Sequence, residues 1–438
     1  MIFPFERAKN YILENEFYLQ MGKVNQVIGL TILAQGIKAF VGEVCEIVLD
    51  EKDSKVLAEV VGFKEEQVLL MPLGDLKGVG PGCRVIPTGK ALTIKIGEEL
   101  LGKVLDGLGK PMYSEEHQLQ ESFAIDREPP NPLKRKRIQH IMPTGIKTID
   151  GLLTCGEGQR VGIFAGSGVG KSTLLGMISR YCEADVNVIG LIGERGREVL
   201  DFIERDLGED GLKKSIVVCA TSDQPALVRI KGAFVATAIA EYFRDKGMKV
   251  MLMMDSVTRF AMAQREVGLA IGEPPTTKGY TPSVFAILPK LLERSGTSER
   301  GSITAFYTVL VDGDDFNEPI SDAVRGILDG HIVLSRKLAA QNHFPSIDIQ
   351  NSISRLMKEI ITPEQDWVSG QIRNNLAIYE KNEDLINIGA YSPGTNPQID
   401  RAIELHEPIN EFLKQDVYER VDFDTTRQLM DQIINEAR

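Results

Sequence analysis

Residues 161–180 read VGIFAGSGVGKSTLLGMISR, and their order decides the fold around them. VGIF is a short apolar run, AGSGVGKST (165–173) a glycine-rich turn, and STLLGMISR a segment with helical spacing of its apolar residues. A strand that passes through such a turn into a helix aims successive backbone N–H groups at one place. The positive end of the helix dipole adds to them, so phosphate oxygens fit there. Gly166, Ser167, Gly168, Val169 and Gly170 form the cradle, and Lys171 supplies a point charge for the β- and γ-phosphates. The Ser172 hydroxyl is placed to ligate Mg²⁺, with Thr173 next to it. Ala165 stands where the usual motif has its first glycine, while Gly166, Gly168 and Gly170 keep the positions of close backbone approach.

Working outward, QRVGIFA, VNVIGLIG, SIVVCAT, KVMLMMD and ITAFYTVLV are apolar strand candidates. They alternate with helical stretches such as AFVATAIAEYFRDKG, which predicts a parallel sheet covered on both faces. In such a sheet the strand ends face the ligand crevice. Asp255, at the end of KVMLMMD, is therefore placed to hold Mg²⁺ or its waters. Glu194, in GERGRE (193–198) after NVIGLI, is placed to orient or deprotonate an attacking water, with Arg195 and Arg197 adding charge nearby. Arg355, closing SISR (352–355), is a candidate arginine finger. Met251, Met253 and Met254 are core strand residues, and no HxxxH or HExxH pairing of the five histidines occurs.

The rest of the chain divides by composition. Residues 1–20 place Phe3, Phe5, Ile12, Leu13 and Phe17 among charges, as an amphipathic segment that either lies on its own domain or docks a partner. Short β-branched runs from KVNQVIGLTI to LTIKI predict a small β-barrel over 21–97. EPPNPLKRKRIQH reads as a solvated linker with a basic run at Lys134–Arg137. After Arg355 the chain is polar and helix-rich. The expected architecture is multi-domain: a small N-terminal β-barrel, a central α/β P-loop (RecA-like) domain with a mainly parallel sheet over 98–355, and a C-terminal α-helical domain over 356–438. A net charge of −12 over 438 residues opposes nucleic acid as the main partner. Five widely spaced cysteines without a CxxC pair fit a reducing compartment, and the charged start MIFPFERAKNYILENEF does not read as a signal peptide. The expectation is a cytoplasmic protein, with any membrane association peripheral.

GKVLDGLGKPM (102–112), AGSGVGKST, GERGRE, MDSVTRF (254–260) and PSIDIQNSIS (345–354) resemble the F1-type rotary ATPase superfamily, the α/β subunit family. Within it, TSDQPALVR (221–229) and EDLINIGAYSPGTNPQIDRAI (383–403) look like the flagellum-specific ATPases of the type III protein export apparatus. The resemblance implies Mg²⁺-dependent ATP hydrolysis. It gives Lys171 and Ser172 the phosphate and metal roles, Glu194 that of catalytic glutamate, and Arg195 that of a neighbouring phosphate-region arginine. It places Asp255 at the end of the second nucleotide-binding strand, Phe344 against adenine, and Arg355 in a neighbouring subunit's site. It further implies a homohexamer at the inner face of the cell membrane. The implied partners are a coiled-coil stator-like negative regulator, a central stalk protein, the membrane proteins of the export gate, and chaperone–substrate complexes. A virulence-type secretion ATPase remains the alternative, with a rotary synthase β-type subunit or a terminator-type ring helicase behind it.

Overall fold

The computed structural model describes residues 21–49, 54–113, 119, 121–311, 315–316 and 318–436. The amphipathic segment expected over 1–20 lies outside the described residues. The described residues open with six antiparallel strands: β1 (Gly22–Ile28), β2 (Thr31–Gln35), β3 (Glu43–Val48), β4 (Lys55–Lys64), β5 (Gln67–Pro72) and β6 (Arg84–Ala91). They close in the order β1-β2-β5-β4-β3-β6. Ile32 and Ala34, Cys45 and Ile47, Ala58 and Val60, and Val68 and Leu70 are alternate residues that fill the interior, as a period of two requires. Closure leaves no strand edge unpaired, so this small unit needs few other contacts.

LTIKI does not join the barrel. It forms β7 (Thr93–Ile96), which pairs with β9 (Glu121–Ala124) in a separate two-stranded sheet. Between them β8 (Val104–Asp106), from the GKVLDGLGKPM stretch, leaves for the edge of the central sheet. Three residues are too few for a periodic signal, so only pairing reveals this strand. The linker is also more engaged than its charge suggests. Lys134 is exposed, but Arg135 turns inward and donates to the carbonyls of Glu293 and Ser295, at 2.7 Å for the latter.

The central sheet adds β10 (Arg160–Ala165), β11 (Val186–Ile192), β12 (Ser215–Ala220), β13 (Lys249–Asp255), β14 (Gly296–Thr297), β15 (Ser302–Leu310), β16 (Gly330–Leu334) and β17 (Ile347–Ser354). The path is β17-β16-β10-β15-β13-β11-β12-β8, with β14 beside β15. Pairing is parallel except for β17 on β16 and β14 on β15. Both faces are covered. Val250, Leu252 and Met254 of β13 enter the core beneath helix Ala226–Asp245, while Met251 and Met253 enter the core that holds helix Lys171–Tyr181. The second core continues without a break into helices Pro363–Asn387, Pro397–Leu413 and Phe423–Glu436 through Val368, Ile372, Leu405, Ile409, Phe412 and Met430. Thr362 and Gln365 close a capping box at the start of the first of these. Gln415 ties the same helical unit to the sheet domain, accepting from Lys147 N and donating to the Gly145 carbonyl, both at 2.8 Å.

Two buried ion pairs fix how the parts meet. Lys231 reaches Glu59 of β4 at 2.6 Å, joining the barrel to helix Ala226–Asp245. Arg294, 1% exposed, donates to both oxygens of Glu241, at 2.9 and 2.6 Å, and to the Ile125 carbonyl at 2.7 Å. Glu241→Ala leaves this guanidinium buried without its counter-charge. Breaking such a pair typically costs about 3–5 kcal/mol. The unfolding midpoint in urea should fall accordingly, and a fall worth less than about 1 kcal/mol would show the pair is not structural.

Candidate active site

Parallel pairing brings the C-terminal ends of β10, β11, β13 and β15 to one edge of the sheet. At the end of β10 the chain enters the glycine-rich turn. Gly168 (φ 77°) and Gly170 (φ 86°) adopt the left-handed conformation that other residues avoid. A Cβ on Gly170 would also lie 3.4 Å from the Phe344 ring. Val169 is buried, and its carbonyl accepts from Ser346 Oγ at 2.6 Å, which holds the turn against the loop that leads into β17. Gly170 caps helix Lys171–Tyr181, whose first residues are Lys171, Ser172 and Thr173. The same loop sets Phe344, 38% exposed, over the turn, and its carbonyl accepts from Gln415 N at 3.0 Å. The structure thus brings Phe344 to the cradle.

Lys171 Nζ lies 2.5 Å from Asp255 Oδ1 and 3.5 Å from Glu194 Oε1. One ammonium between two carboxylates is the electrostatic centre of the site. Burial opposes the lysine's charge, but Asp255 and Glu194 outweigh it and hold its pKa above the ordinary value. Burial pushes the Glu194 carboxyl up to about 7, with Asp255 adding to the rise and Lys171 opposing it. A carboxyl near neutrality suits a group that must accept a proton. Asp255 Oδ1 also accepts from Thr308 Oγ1 at 2.7 Å, so β15 fixes the carboxylate that ends β13. Ser256, next in sequence, caps helix Val257–Ala270. Ser172 and Asp255 offer hard oxygen donors of the kind Mg²⁺ takes, and Lys171 shows that a cation is stable beside Asp255.

Two sequence expectations meet different surroundings. Arg195 does not join this centre. Its side chain is 79% exposed and pairs with Glu198 at 3.5 Å, because helix Gly196–Asp201 begins immediately after it. Arg355 lies at the opposite edge of the sheet. The antiparallel register pairs Ile347 with Leu334, level with Ala165, but Ser354 with Gly330. β17 bulges between Asp348 and Ile353, so Ile347 to Ser354 spans only the four steps of β16 and sets the root of Arg355 about 13 Å along the sheet from the P-loop edge of its own chain. Its side chain is exposed, with Nη2 donating to the Arg325 carbonyl at 3.2 Å.

Sequence reading passed over Arg259. It extends from helix Val257–Ala270 across Gly193, where an added Cβ would meet its Cβ at 2.7 Å. Its Nε is buried with no hydrogen-bond partner among the described residues. A cation one residue from Glu194, with an unused buried donor, suits an anionic ligand. The signal lay in MDSVTRF, four residues beyond Asp255.

The geometry agrees with the comparisons to known proteins. Residues 145–354 match the nucleotide-binding domain of the ATP synthase alpha/beta family, residues 24–89 its beta-barrel domain, and residues 361–432 the C-terminal domain of the EscN ATPase of type III secretion. A flagellum-specific ATP synthase of Bacillus subtilis is 58% identical, covering 91% of each chain. A type 3 secretion system ATPase of Xanthomonas euvesicatoria is 50% identical, over 95% of this chain and 94% of its own. The structure of the assembled ATPase EscN of enteropathogenic E. coli, in complex with its central stalk EscO, superposes with a TM-score of 0.88. It is 46% identical and covers 94% of this chain and 100% of its own. Among the described residues no helix is long and apolar enough to cross a membrane. The chain belongs to the ATP synthase alpha/beta family and is an ATP-hydrolysing enzyme of its flagellar and type III secretion branch.

Proposed function

We propose that the chain is the ATPase of a flagellar type III protein export apparatus, a homohexameric ring that hydrolyses ATP between its subunits. The observation that carries this reading is the division of the machinery between two edges of one sheet. Lys171, Glu194 and Asp255 meet at one edge, and Arg355 is exposed at the other. One copy therefore cannot complete its own site, whereas copies arranged head to tail complete each other's. Heterologous contacts of that kind close into rings. The greater identity to the Bacillus flagellar relative than to the Xanthomonas one favours flagellar over injectisome cargo.

In this reading Gly166 to Thr173 and Lys171 hold the phosphates, Phe344 stacks on the adenine, and Arg259 meets phosphate oxygens beside Glu194. Ser172 and Asp255 hold Mg²⁺, which would neutralise charge on the β- and γ-phosphate oxygens. Lys171 leaves Asp255 for the nucleotide, and Glu194 orients and deprotonates the attacking water. Arg195 serves at the phosphate region only after helix Gly196–Asp201 moves its start inward. The ring encloses a central stalk protein, is restrained by a coiled-coil stator-like regulator, and sits beneath the membrane proteins of the export gate. Chaperone–substrate complexes are what it unloads.

Glu194→Gln keeps the shape of the side chain and removes the base. It should bind ATP at parental affinity and lose roughly 10²–10⁴-fold in turnover. Lost binding with normal turnover of bound ATP would make Glu194 structural instead. Lys171→Ala should abolish turnover, and near-normal kcat in that variant rejects the cradle. Arg355→Ala should bind ATP and lose roughly 10³–10⁵-fold in rate, the range known for arginine fingers. Lys171→Ala keeps the finger and Arg355→Ala keeps the cradle, so mixed rings of the two should recover single-turnover hydrolysis. Mixed rings as inactive as either parent reject action between subunits.

A further inference from the structure

The end of β17 that delivers Arg355 is held by the residues that open β10. Gln159 is fully buried and uses both halves of its amide there. Its Oε1 accepts from Gly156 N at 2.8 Å. Its Nε2 donates to Ser354 Oγ at 3.0 Å and to the Asp329 carbonyl at 3.3 Å. Ser354 Oγ donates onward to the Thr154 carbonyl at 2.8 Å. That same Asp329 carbonyl receives Arg355 N at 3.0 Å, so it is the joint that the glutamine and the finger share.

The joint is rigid. Arg160 clamps the Asp329 carboxylate through Nε at 2.9 Å, Nη2 at 3.0 Å and its backbone N at 3.1 Å, and Asp329 N returns a bond to the Arg160 carbonyl at 2.9 Å. Gly330 lets the segments touch, since a Cβ there would lie 2.7 Å from the Ile353 carbonyl oxygen. Among the described residues the Arg355 side chain has one hydrogen-bond anchor, the Arg325 carbonyl, so its aim is inherited from the backbone at 354–355. A guanidinium at the end of a long side chain magnifies a small tilt at its root, and a misplacement of about 1 Å can cost up to 10²-fold in rate. The nucleotide of the same chain is the length of β10 away from all of this, six residues.

We propose that Gln159 is a positioning residue for Arg355: it fixes the backbone from which the finger reaches a neighbouring subunit's nucleotide. The proposal rests on the reading of Arg355 as acting between subunits. It makes the effect of Gln159 directional. The residue serves the site next door and is silent in its own.

Mixed rings read that direction. Chains carrying Lys171→Ala donate fingers, and chains carrying Arg355→Ala accept them. Their simple mixture gives the reference single-turnover rate, and if no activity returns there, action between subunits fails and the proposal falls with it. Gln159→Ala is then added to the donor in one sample and to the acceptor in another. On the donor it should lower the recovered rate roughly 10- to 100-fold. On the acceptor it should leave both rate and ATP affinity unchanged. Equal losses in both arms, a loss confined to the acceptor, or no loss in either would overturn the proposal with the parental rescue intact. Ser354→Ala removes the same bond from the strand side of the joint. If Gln159→Ala lowers ATP affinity by disturbing the core, Ser354→Ala decides the question by the same asymmetry, donor loss supporting the proposal and any other pattern rejecting it.

Discussion

A parallel sheet aligns the ends of its strands, and the chemistry of this protein depends on that alignment. β10, β11 and β13 each contribute one element to a single edge: a glycine-rich turn, Glu194 and Asp255. None of these is close to the others in sequence. They meet because parallel hydrogen bonding leaves little freedom in register, and because the strands are buried on both faces and cannot slide without exposing one of them. Thr308 of β15 and Ser346 beyond β16 then remove the remaining freedom, the first bonding the Asp255 carboxylate and the second the backbone of the phosphate turn.

The electrostatic content of that edge follows from its burial. Two carboxylates and one ammonium in a poorly solvated place leave a net negative cluster, which by itself would repel a nucleotide triphosphate. The helix N-terminus and Arg259 bring positive charge to the same edge. Glu194 holds a proton more readily than an ordinary carboxyl, because its burial and its carboxylate neighbour outweigh Lys171. Its neighbour Asp255 is held by Lys171 and Thr308 together. Two carboxylates on adjacent strands thus sit in different surroundings.

Much of this was legible in the residues, for a reason that also explains the gaps. The phosphate turn, Asp255 and Glu194 are set by local chain geometry, a strand end followed by a turn or helix, and local geometry leaves a local signature. The apolar runs named the five long parallel strands for the same reason. What escaped reading is set by partners distant in sequence. LTIKI has the look of a barrel strand, but its pairing with residues 121–124 takes it elsewhere. Arg135 sits in a basic run that reads as solvated, but carbonyls at 293 and 295 draw it inside. Arg195 and Arg259 are both arginines just beyond strand ends. The first turns to solvent and the second crosses Gly193, a difference fixed by which side of each helix start faces the crevice.

Arg355 shows what the two ends of one sheet mean for function. Its strand begins beside the glycine-rich turn and runs antiparallel away from it, so the chain holds Arg355 apart from its own Lys171, Glu194 and Asp255. β10 joins these two halves as a short, fully hydrogen-bonded element between β15 and β16. Its C-terminal end enters the glycine-rich turn, and its N-terminal end, through Gln159 and Arg160, meets the backbone that carries Arg355. A strand that is short, buried and bonded on both sides does not bend to absorb a displacement; it moves as a unit. A shift at the glycine-rich turn would therefore be felt at Asp329 and Ser354, at the root of Arg355.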